Sequence, residues 1–527
     1  MKSLCLLNLN INCLMNKNFY ITTPIYYPSA KPHMGHAYSS IIADFFARFK
    51  RIDGYEVHFL TGTDEHGLKI QRAAEKQNLE PLKFCDQVSQ TFRNLSDTLN
   101  LSNTDFIRTT EDRHKKTVQF LWNELEKNDD IYLSNYSGWY SVSDEAFYNE
   151  DEIEDIDGKK FSISSKSSVE WIEEESYFFR LSKWEKPLLE YYKLNPDFIC
   201  PESKKNEVIS FVKSGLKDLS ISRKTFSWGI PVPKNEKHVI YVWLDALTNY
   251  LSAINYPDKN DELFKKFWPA SVHLIGKDIL RFHAVYWPAF LLAAKIELPK
   301  KIYGHGWILS GEEKMSKSKG NILDPIEIIK NYGLDPLRYY LIKEVSFGND
   351  GNISQERLEF CINSDLANNY GNLCQRVSTF AIKNCNGKIP EKIEFNEDDL
   401  MILDKYKTNI TNIRSKIDDQ DINYYIEYIV NSLFEANKYF NDQEPWKKKD
   451  DLLRLNTIVY TALEVIRKIS FLLYPIIPES SLKALKIFNI TEKKINLESI
   501  SNNEFLVKGS NIDKIDILFK KIEKKND

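Results

Sequence analysis

The stretch Thr22-Thr23-Pro24-Ile25-Tyr26-Tyr27-Pro28-Ser29-Ala30-Lys31-Pro32-His33-Met34-Gly35-His36 constrains this chain more than any other part of it. Before it, Phe19-Tyr20-Ile21-Thr22 is aromatic and β-branched and reads as a short buried strand. After it, Tyr38, Ile41, Ile42, Phe45, Phe46 and Phe49 recur at three- and four-residue spacing, which predicts a helix with one apolar face. His33 and His36 therefore fall where a strand ends and a helix begins. There the unbonded backbone N–H groups and the positive end of the helix dipole face a ligand lying above the sheet. Gly35 lets an anion approach the backbone, and His33 and His36 can each offer an N–H to phosphate oxygens. The pattern fits a nucleoside triphosphate held with charge stabilised at its α-phosphate.

A second element lies far downstream. Gly311-Glu312-Glu313-Lys314-Met315-Ser316-Lys317-Ser318-Lys319-Gly320-Asn321 is a basic, glycine-bounded loop, and Asp324-Pro325 beyond it reads as an N-cap followed by proline at the first helical position. A lysine-rich loop alone is usually a solvated turn. With both patterns present in this order, the chain resembles the class I aminoacyl-tRNA synthetases, and among them the methionyl-tRNA synthetases.

Composition bounds the reading. A chain of 527 residues with 42% hydrophobic content is long enough for two to four domains. Its formal net charge is only −4, so a nucleic-acid surface has to be a local basic patch. The seven cysteines form no C-x-x-C pair and no disulfide-like framework, which fits a reducing, cytoplasmic setting. No apolar run approaches the roughly 18–20 residues that span a bilayer, so no membrane partner is expected. The segment Met1 to Leu14 is interrupted by Asn8, Asn10 and Asn12 and has no cleavage site, and Met15 is the expected start.

The fold class expected is α/β: a Rossmann-like nucleotide-binding catalytic domain split by a connective insertion, followed by an all-α anticodon-binding bundle. Residues 1–17 form an N-terminal extension, 18–121 the first catalytic half, 122–222 the insertion and 223–310 the second half. Residues 311–364 hold the lysine loop and a stem-contact region, and 365–527 the helical domain, whose long segments carry three- and four-residue apolar spacing. The strand Tyr55 to Leu60 leads to Asp64 and His66, placed to reach a ligand beyond the strand ends. In the insertion, Gly138 to Glu145 reads as a small β element and Trp171 to Tyr192 as helical. Val239 to Leu247 reads as a strand running into the helix that carries Tyr250, and Val272 to Ile275 as a strand ending at Gly276-Lys277-Asp278. Ile279, Phe282, His283, Tyr286 and Trp287 then share one helix face.

The resemblance implies roles for particular residues. His33 and His36 would stabilise the pentacoordinate α-phosphate, with Gly35, Gly276 and Asp278 also touching ATP. Lys314 and Lys317 would neutralise the β- and γ-phosphates, bridged by Mg²⁺. Asp64 would hold the substrate amino group, while Ile25, Tyr27, Trp243, Ala246, Leu247, Tyr250, Ile279 and His283 would line the L-methionine pocket. A thioether suits aromatic walls at about 0.3–1.5 kcal/mol per contact, and a weak donor from Tyr27 or His283 near the sulfur would favour it over an all-carbon isostere. Asn372, Arg376 and Trp446 would read the anticodon of methionine tRNA by stacking and edge hydrogen bonds. The dimerising C-terminal domain of some relatives is not visible, and a monomer is expected. Rival readings are a synthetase for leucine, valine or cysteine, and a relative that binds tRNA without catalysis. The first lacks its large editing insertion or thiol ligands here, and intact His33, His36, Lys314 and Lys317 oppose the second.

Many relatives hold zinc in the insertion through paired C-x-x-C ligands, whereas Cys200 stands alone in this one. No structural zinc is expected. Elemental analysis of chelator-washed protein should find less than about one zinc per ten chains, since a structural site keeps its metal tightly. Stoichiometric zinc, with unfolding on its removal, would overturn this.

Overall fold

The computed structural model describes residues 17–28, 31–144, 146–148, 150–310, 313–314 and 324–523. Its contacts divide the chain into two compact units. One is Asn18–Pro32 with Val57–His305, and the other is His33–Glu56 with Gly306 onward and the residues up to Lys17.

Six strands of the first unit form its main sheet among the described residues: β1 (Asn18–Thr22), β2 (Glu56–Thr63), β3 (Asp105–Arg108), β4 (Ile199–Cys200), β5 (Val272–Gly276) and β6 (Ile302–His305). Their spatial order is β3-β2-β1-β5-β6-β4. β1 pairs in parallel with β5 (Ile21 opposite Val272), β5 with β6 (Leu274 opposite Tyr303), β6 with β4 and β2 with β3. These strands are apolar on both faces, as a doubly covered parallel sheet requires. Tyr20, Leu60, Ile107 and Ile275 share one core with Trp122, Trp287 and Phe290. The winding reverses between β1 and β5, so the crevice for a ligand opens beyond their carboxyl ends.

The insertion departs from the expectation. Ile131–Ser141 and Glu170–Phe179 pair antiparallel from Ile131–Phe179 to Tyr140–Glu170, so Trp171 begins in a strand. The helix starts only at Glu185, after a 3₁₀ turn at Leu181–Trp184. Glutamates favour helices when isolated, but Glu170, Glu173, Glu174 and Glu175 here lie along a ribbon strand. Cross-strand contacts such as Trp139 against Trp171, with centroids 5.2 Å apart, decide the outcome. At the ribbon's tip the Asp144 carboxylate accepts hydrogen bonds from Tyr148 Oη (2.7 Å), Ser165 Oγ (2.5 Å) and Ser167 Oγ. Hydroxyls around a carboxylate thus tie the turn together. Among the described residues no group of three or more His, Cys, Asp or Glu side chains is arranged to hold a metal ion.

The second unit contains α1 (Met34–Ile52), α2 (Leu334–Glu344), α3 (Asn372–Asn384), α4 (Glu397–Asp418), α5 (Ile422–Asp442) and α6 (Leu452–Leu473). The last three lie within about two residues of where their spacing puts them, whereas α3, expected from Asp365, begins at Asn372 after a π-helical stretch at Ile362–Gly371. Arg454 of α6 grips Asp399 of α4 through both Nη atoms (2.5 and 3.0 Å), and Tyr439 of α5 donates to the same carboxylate, so one buried acid pins three helices. Asp324 caps the helix Pro325–Tyr332 as expected, its Oδ1 accepting from the Ile326 N–H at 2.8 Å. α1 differs from the one-faced helix expected: Asp44, Arg48 and Lys50 on its polar side are buried too. Among the described residues no helix is long and apolar enough to cross a membrane.

Candidate active site

The residues expected to line the methionine pocket all lie in the first unit. Ile25, Tyr27, Trp243 and Ile279 lie partly buried against the core that contains Leu247 and Tyr250. Ala246 and His283 are themselves buried. The segment after β1 is carried alongside the end of β2, with Tyr26 N–H bonded to Gly62 O (2.8 Å) and Asp64 N–H to Tyr26 O (2.9 Å). That pairing holds Asp64 just past the strand end. Trp243 stacks flat on Phe282, with centroids 3.7 Å apart and 3° between planes.

The helix expected over Ile279 to Trp287 is a 3₁₀ turn (Lys277–Ile279) followed by a π turn (Phe282–Tyr286). Pro288 has no N–H to give the carbonyl of Ala284, one helical turn back. Tyr192 Oη takes that carbonyl instead, at 2.5 Å. The widened turn places the His283 ring between two fixed partners. Its Nδ1 is 3.0 Å from Ile279 O, which can only accept, so the proton sits on Nδ1. Nε2 then accepts from Tyr250 Oη at 2.8 Å. Burial lowers the His283 pKa to about 4, so the ring is neutral at physiological pH. Tyr27 Oη donates to His66 O at 3.0 Å. Both groups expected to donate toward a thioether already have their protons committed within the protein, which corrects that expectation.

Gly276 ends β5, and Asp278 lies in the 3₁₀ turn after it. A Cβ on Gly276 would come within 2.6 Å of Asp278 Oδ1, so glycine is what allows this carboxylate its place.

His33, Gly35 and His36 belong to the second unit. His33 is the N-cap of α1: its Nδ1 accepts the Gly35 N–H at 3.1 Å, and His36 Nδ1 accepts the His33 N–H at 3.1 Å. The two imidazoles therefore satisfy two of the backbone donors that the sequence leaves for an anion. Each neutral ring carries its proton on Nε2. The rings stack with centroids 3.7 Å apart. Burial, and then the neighbouring His33, hold the His36 pKa well below its ordinary value. A Cβ on Gly35 would meet the His33 ring at 3.0 Å, so that ring would have to give slightly to admit any other residue there. Lys317 lies outside the described residues; of Lys314 only the backbone is described, in the two-residue strand Glu313–Lys314.

The family model described as tRNA synthetases class I (M) matches residues 19–159 and 154–378, and that for the anticodon binding domain of methionyl tRNA ligase matches 389–527. The chain belongs to the methionyl-tRNA synthetases. The methionine–tRNA ligase of Rickettsia felis is 50% identical over 519 residues, 97% of this chain and 99% of that one. That of Brucella suis is 50% identical over 483 residues, 91% and 93% of the two chains. The Mycobacterium tuberculosis methionyl-tRNA synthetase in complex with methionyl-adenylate superposes with a TM-score of 0.93 at 45% identity, covering 95% of this chain and 99% of that chain.

In this methionyl-tRNA synthetase, sequence reasoning missed a buried carboxylate beside the pocket. Asp245 Oδ2 is 2.7 Å from His66 Nδ1, and its Oδ1 is 2.7 Å from His114 Nε2. Burial alone would raise the Asp245 pKa, but His66 and His114 outweigh it and leave the carboxyl below its ordinary value. The carboxylate ties the helix of Trp243, Ala246 and Leu247 to the loop of Asp64 and His66. Through His114 Nδ1, 3.0 Å from Ser252 Oγ, it also reaches the helix of Tyr250. Its only sequence signal is one acid inside the apolar run Val239 to Leu247.

The residues expected to read the anticodon lie in the second unit, with Arg376 and Trp446 both against Phe440. Asn372 opens α3, and Arg376 one turn on lies 5.4 Å from the Phe440 ring, with Nη2 donating to Asn441 Oδ1 (2.7 Å). Phe440 meets Trp446 edge to face at 6.2 Å, and Trp446 is 42% exposed. Phe440 and Asn441 thus join the candidates.

Asp245→Asn leaves one imidazole without its acceptor. It should raise the KM for methionine roughly 10- to 100-fold, as about 1–3 kcal/mol of unmet hydrogen bonding implies. The KM for ATP should stay within about two-fold; equal rises in both would make Asp245 a general core residue. Because His283 titrates near 4, the KM for methionine should be flat between about pH 6 and 8. A two-state rise centred near pH 6.5, lost in His283→Gln, would refute the neutral assignment.

Proposed function

We infer that this chain joins L-methionine to its cognate tRNA through a methionyl-adenylate, using MgATP as substrate. The observation that carries the reading is the cluster of aromatic side chains beside the switch-point strands β1 and β5, in a chain of the methionyl family. The methionine side chain would lie against Ile25, Tyr27, Trp243, Ala246, Leu247, Tyr250, Ile279 and His283, with its amino group on Asp64. Its carboxylate attacks the α-phosphorus of ATP, the bond to the pyrophosphate oxygen breaks, and pyrophosphate leaves. The terminal hydroxyl of tRNA then attacks the acyl carbon, and AMP leaves.

The protein's part is positioning and electrostatics. His33 and His36 would turn their Nε2–H donors to the α-phosphate as charge builds there, close to Gly35. Gly276 and Asp278 would touch the adenosine. Lys314 and Lys317 would neutralise the β- and γ-phosphates, which carry the Mg²⁺. Asn372, Arg376 and Trp446 would stack on and read the anticodon loop. The domain limits given by the sequence are proposed as they stand, with a monomeric, cytoplasmic enzyme. Among the described residues Cys85, Cys361, Cys374 and Cys385 form no disulfide, which suits a reducing compartment.

Two assays on one preparation test this reading: methionine-dependent pyrophosphate exchange and tRNA charging. Exchange should appear with methionine alone among twenty amino acids. His36→Ala should lower it by roughly 10²–10³, the scale for losing a donor to transition-state charge. Trp446→Ala should leave exchange near that of the unaltered chain and reduce charging by roughly 10- to 100-fold, the scale of one lost base stack. No methionine-dependent exchange would defeat the activity assigned. Parallel loss of both reactions in Trp446→Ala would instead mark that ring as part of the fold.

A further inference from the structure

α1 carries His33 and His36 at its first turn and is held along its length within the second unit. Asp44, fully buried, accepts from Arg48 Nε at 2.7 Å and from Arg338 Nη2 at 2.6 Å. Arg338 of α2, equally buried, also donates from Nε to Ile476 O (2.8 Å) and from Nη2 to Pro475 O (3.2 Å). Arg48 Nη1 reaches Tyr474 Oη at 3.1 Å, and Tyr474 donates to Glu492. One carboxylate and two guanidinium groups thus join the histidine-bearing helix to α2 and to the turn that ends α6.

The far end of α1 is fastened to the same unit. Asp53 accepts from Arg414 Nε of α4 (2.7 Å), Lys50 pairs with Asp418, and Ile52 O accepts the Leu497 N–H (2.8 Å). A packed helix is stiff along its axis, and Asp44 lies about 16 Å from His33 at 1.5 Å per residue. What sets Asp44 therefore sets the first turn. Removing Arg338 leaves the Asp44–Arg48 pair but strips the buried Ile476 and Pro475 carbonyls of its donors, and neutralising Asp44 leaves two buried guanidinium groups without their carboxylate. The helix can answer only by shifting or turning.

We propose that Arg338 and Asp44 are positioning residues for methionine activation, locking α1 to the end of the anticodon bundle so that His33 and His36 are presented in one fixed orientation. This rests on the reading of those histidines as the groups that meet the α-phosphate. Neither Arg338 nor Asp44 belongs to the unit that contains the methionine-pocket residues. Their loss should thus appear in turnover and not in amino-acid affinity.

The test uses the full chain with Arg338→Met, Arg338→Lys and Asp44→Asn. Active sites are counted by the burst of adenylate formation, and exchange is expressed per active site. Turnover per site should fall about 10²-fold in Arg338→Met and Asp44→Asn, the scale of an ångström's misplacement of a catalytic group. Arg338→Lys keeps the charge but not the fork, and should lose about ten-fold. The KM for methionine should stay within about two-fold in all three. If Arg338→Met or Asp44→Asn does not fold, Arg338→Lys decides alone: turnover per site equal to that of the unaltered chain overturns the proposal. So does a fall confined to the number of active sites, or a rise in methionine KM that accounts for the loss. Absence of methionine-dependent exchange in the unaltered chain would instead overturn the functional reading.

Discussion

A carboxylate buried without partners costs several kcal/mol, and this chain buries four at the points its architecture turns on. Asp44 sits between Arg48 and Arg338, Asp245 between His66 and His114, and Asp399 under Arg454 and Tyr439. Glu65 accepts from Arg108 Nε (2.7 Å) and Nη2 (3.0 Å) and from Thr63 and Thr110 Oγ1. Apolar burial drives collapse without choosing an orientation. These acids choose it, because each is satisfied only when two or three separate segments arrive in one register. Glu65 directly follows Asp64, so the group expected to hold an amino function is fixed by its neighbour's four hydrogen bonds. The same logic applies to the pocket helix through Asp245 and to the histidine helix through Asp44.

How far a feature can be read from the amino-acid sequence depends on how local its cause is. β1, the helix after it, the Asp324 cap and the long bundle helices follow from periodicity and capping within a few residues, and they stand where that spacing puts them. The π turn at Phe282–Tyr286 does not, because its cause is shared between Pro288 and Tyr192, which are far apart in the chain. The ribbon strand Glu170–Phe179 is hidden by the helix preference of its glutamates, which pairing with Ile131–Ser141 overrides. Asp245 and Asp44 each look like an ordinary acid on a helix until the partners are known. The fold is legible from motifs; the buried carboxylates that hold separate segments in register are not.

The proton arrangement in the pocket bears on how a thioether would be chosen. Ile279 O accepts only, so the proton of His283 stays on Nδ1 and Tyr250 must donate to Nε2. Tyr27 is committed to His66 O. Nothing in this chain of bonds is left over to donate to sulfur, and titrating His283 away from neutrality would take the pH down toward 4. Selection would then rest on the fit and polarizability of aromatic walls, such as the Trp243–Phe282 stack, with the buried Trp243 Nε1–H, which has no hydrogen-bond partner among the described residues, as a donor still open. Reliance on fit carries a cost in discrimination. A pocket that reads shape alone distinguishes one methylene by only about 1–3 kcal/mol, whereas one built around a hydrogen bond to its ligand rejects analogues far more strongly. Homocysteine, shorter by one methylene, is therefore the competitor this geometry is least able to exclude by binding.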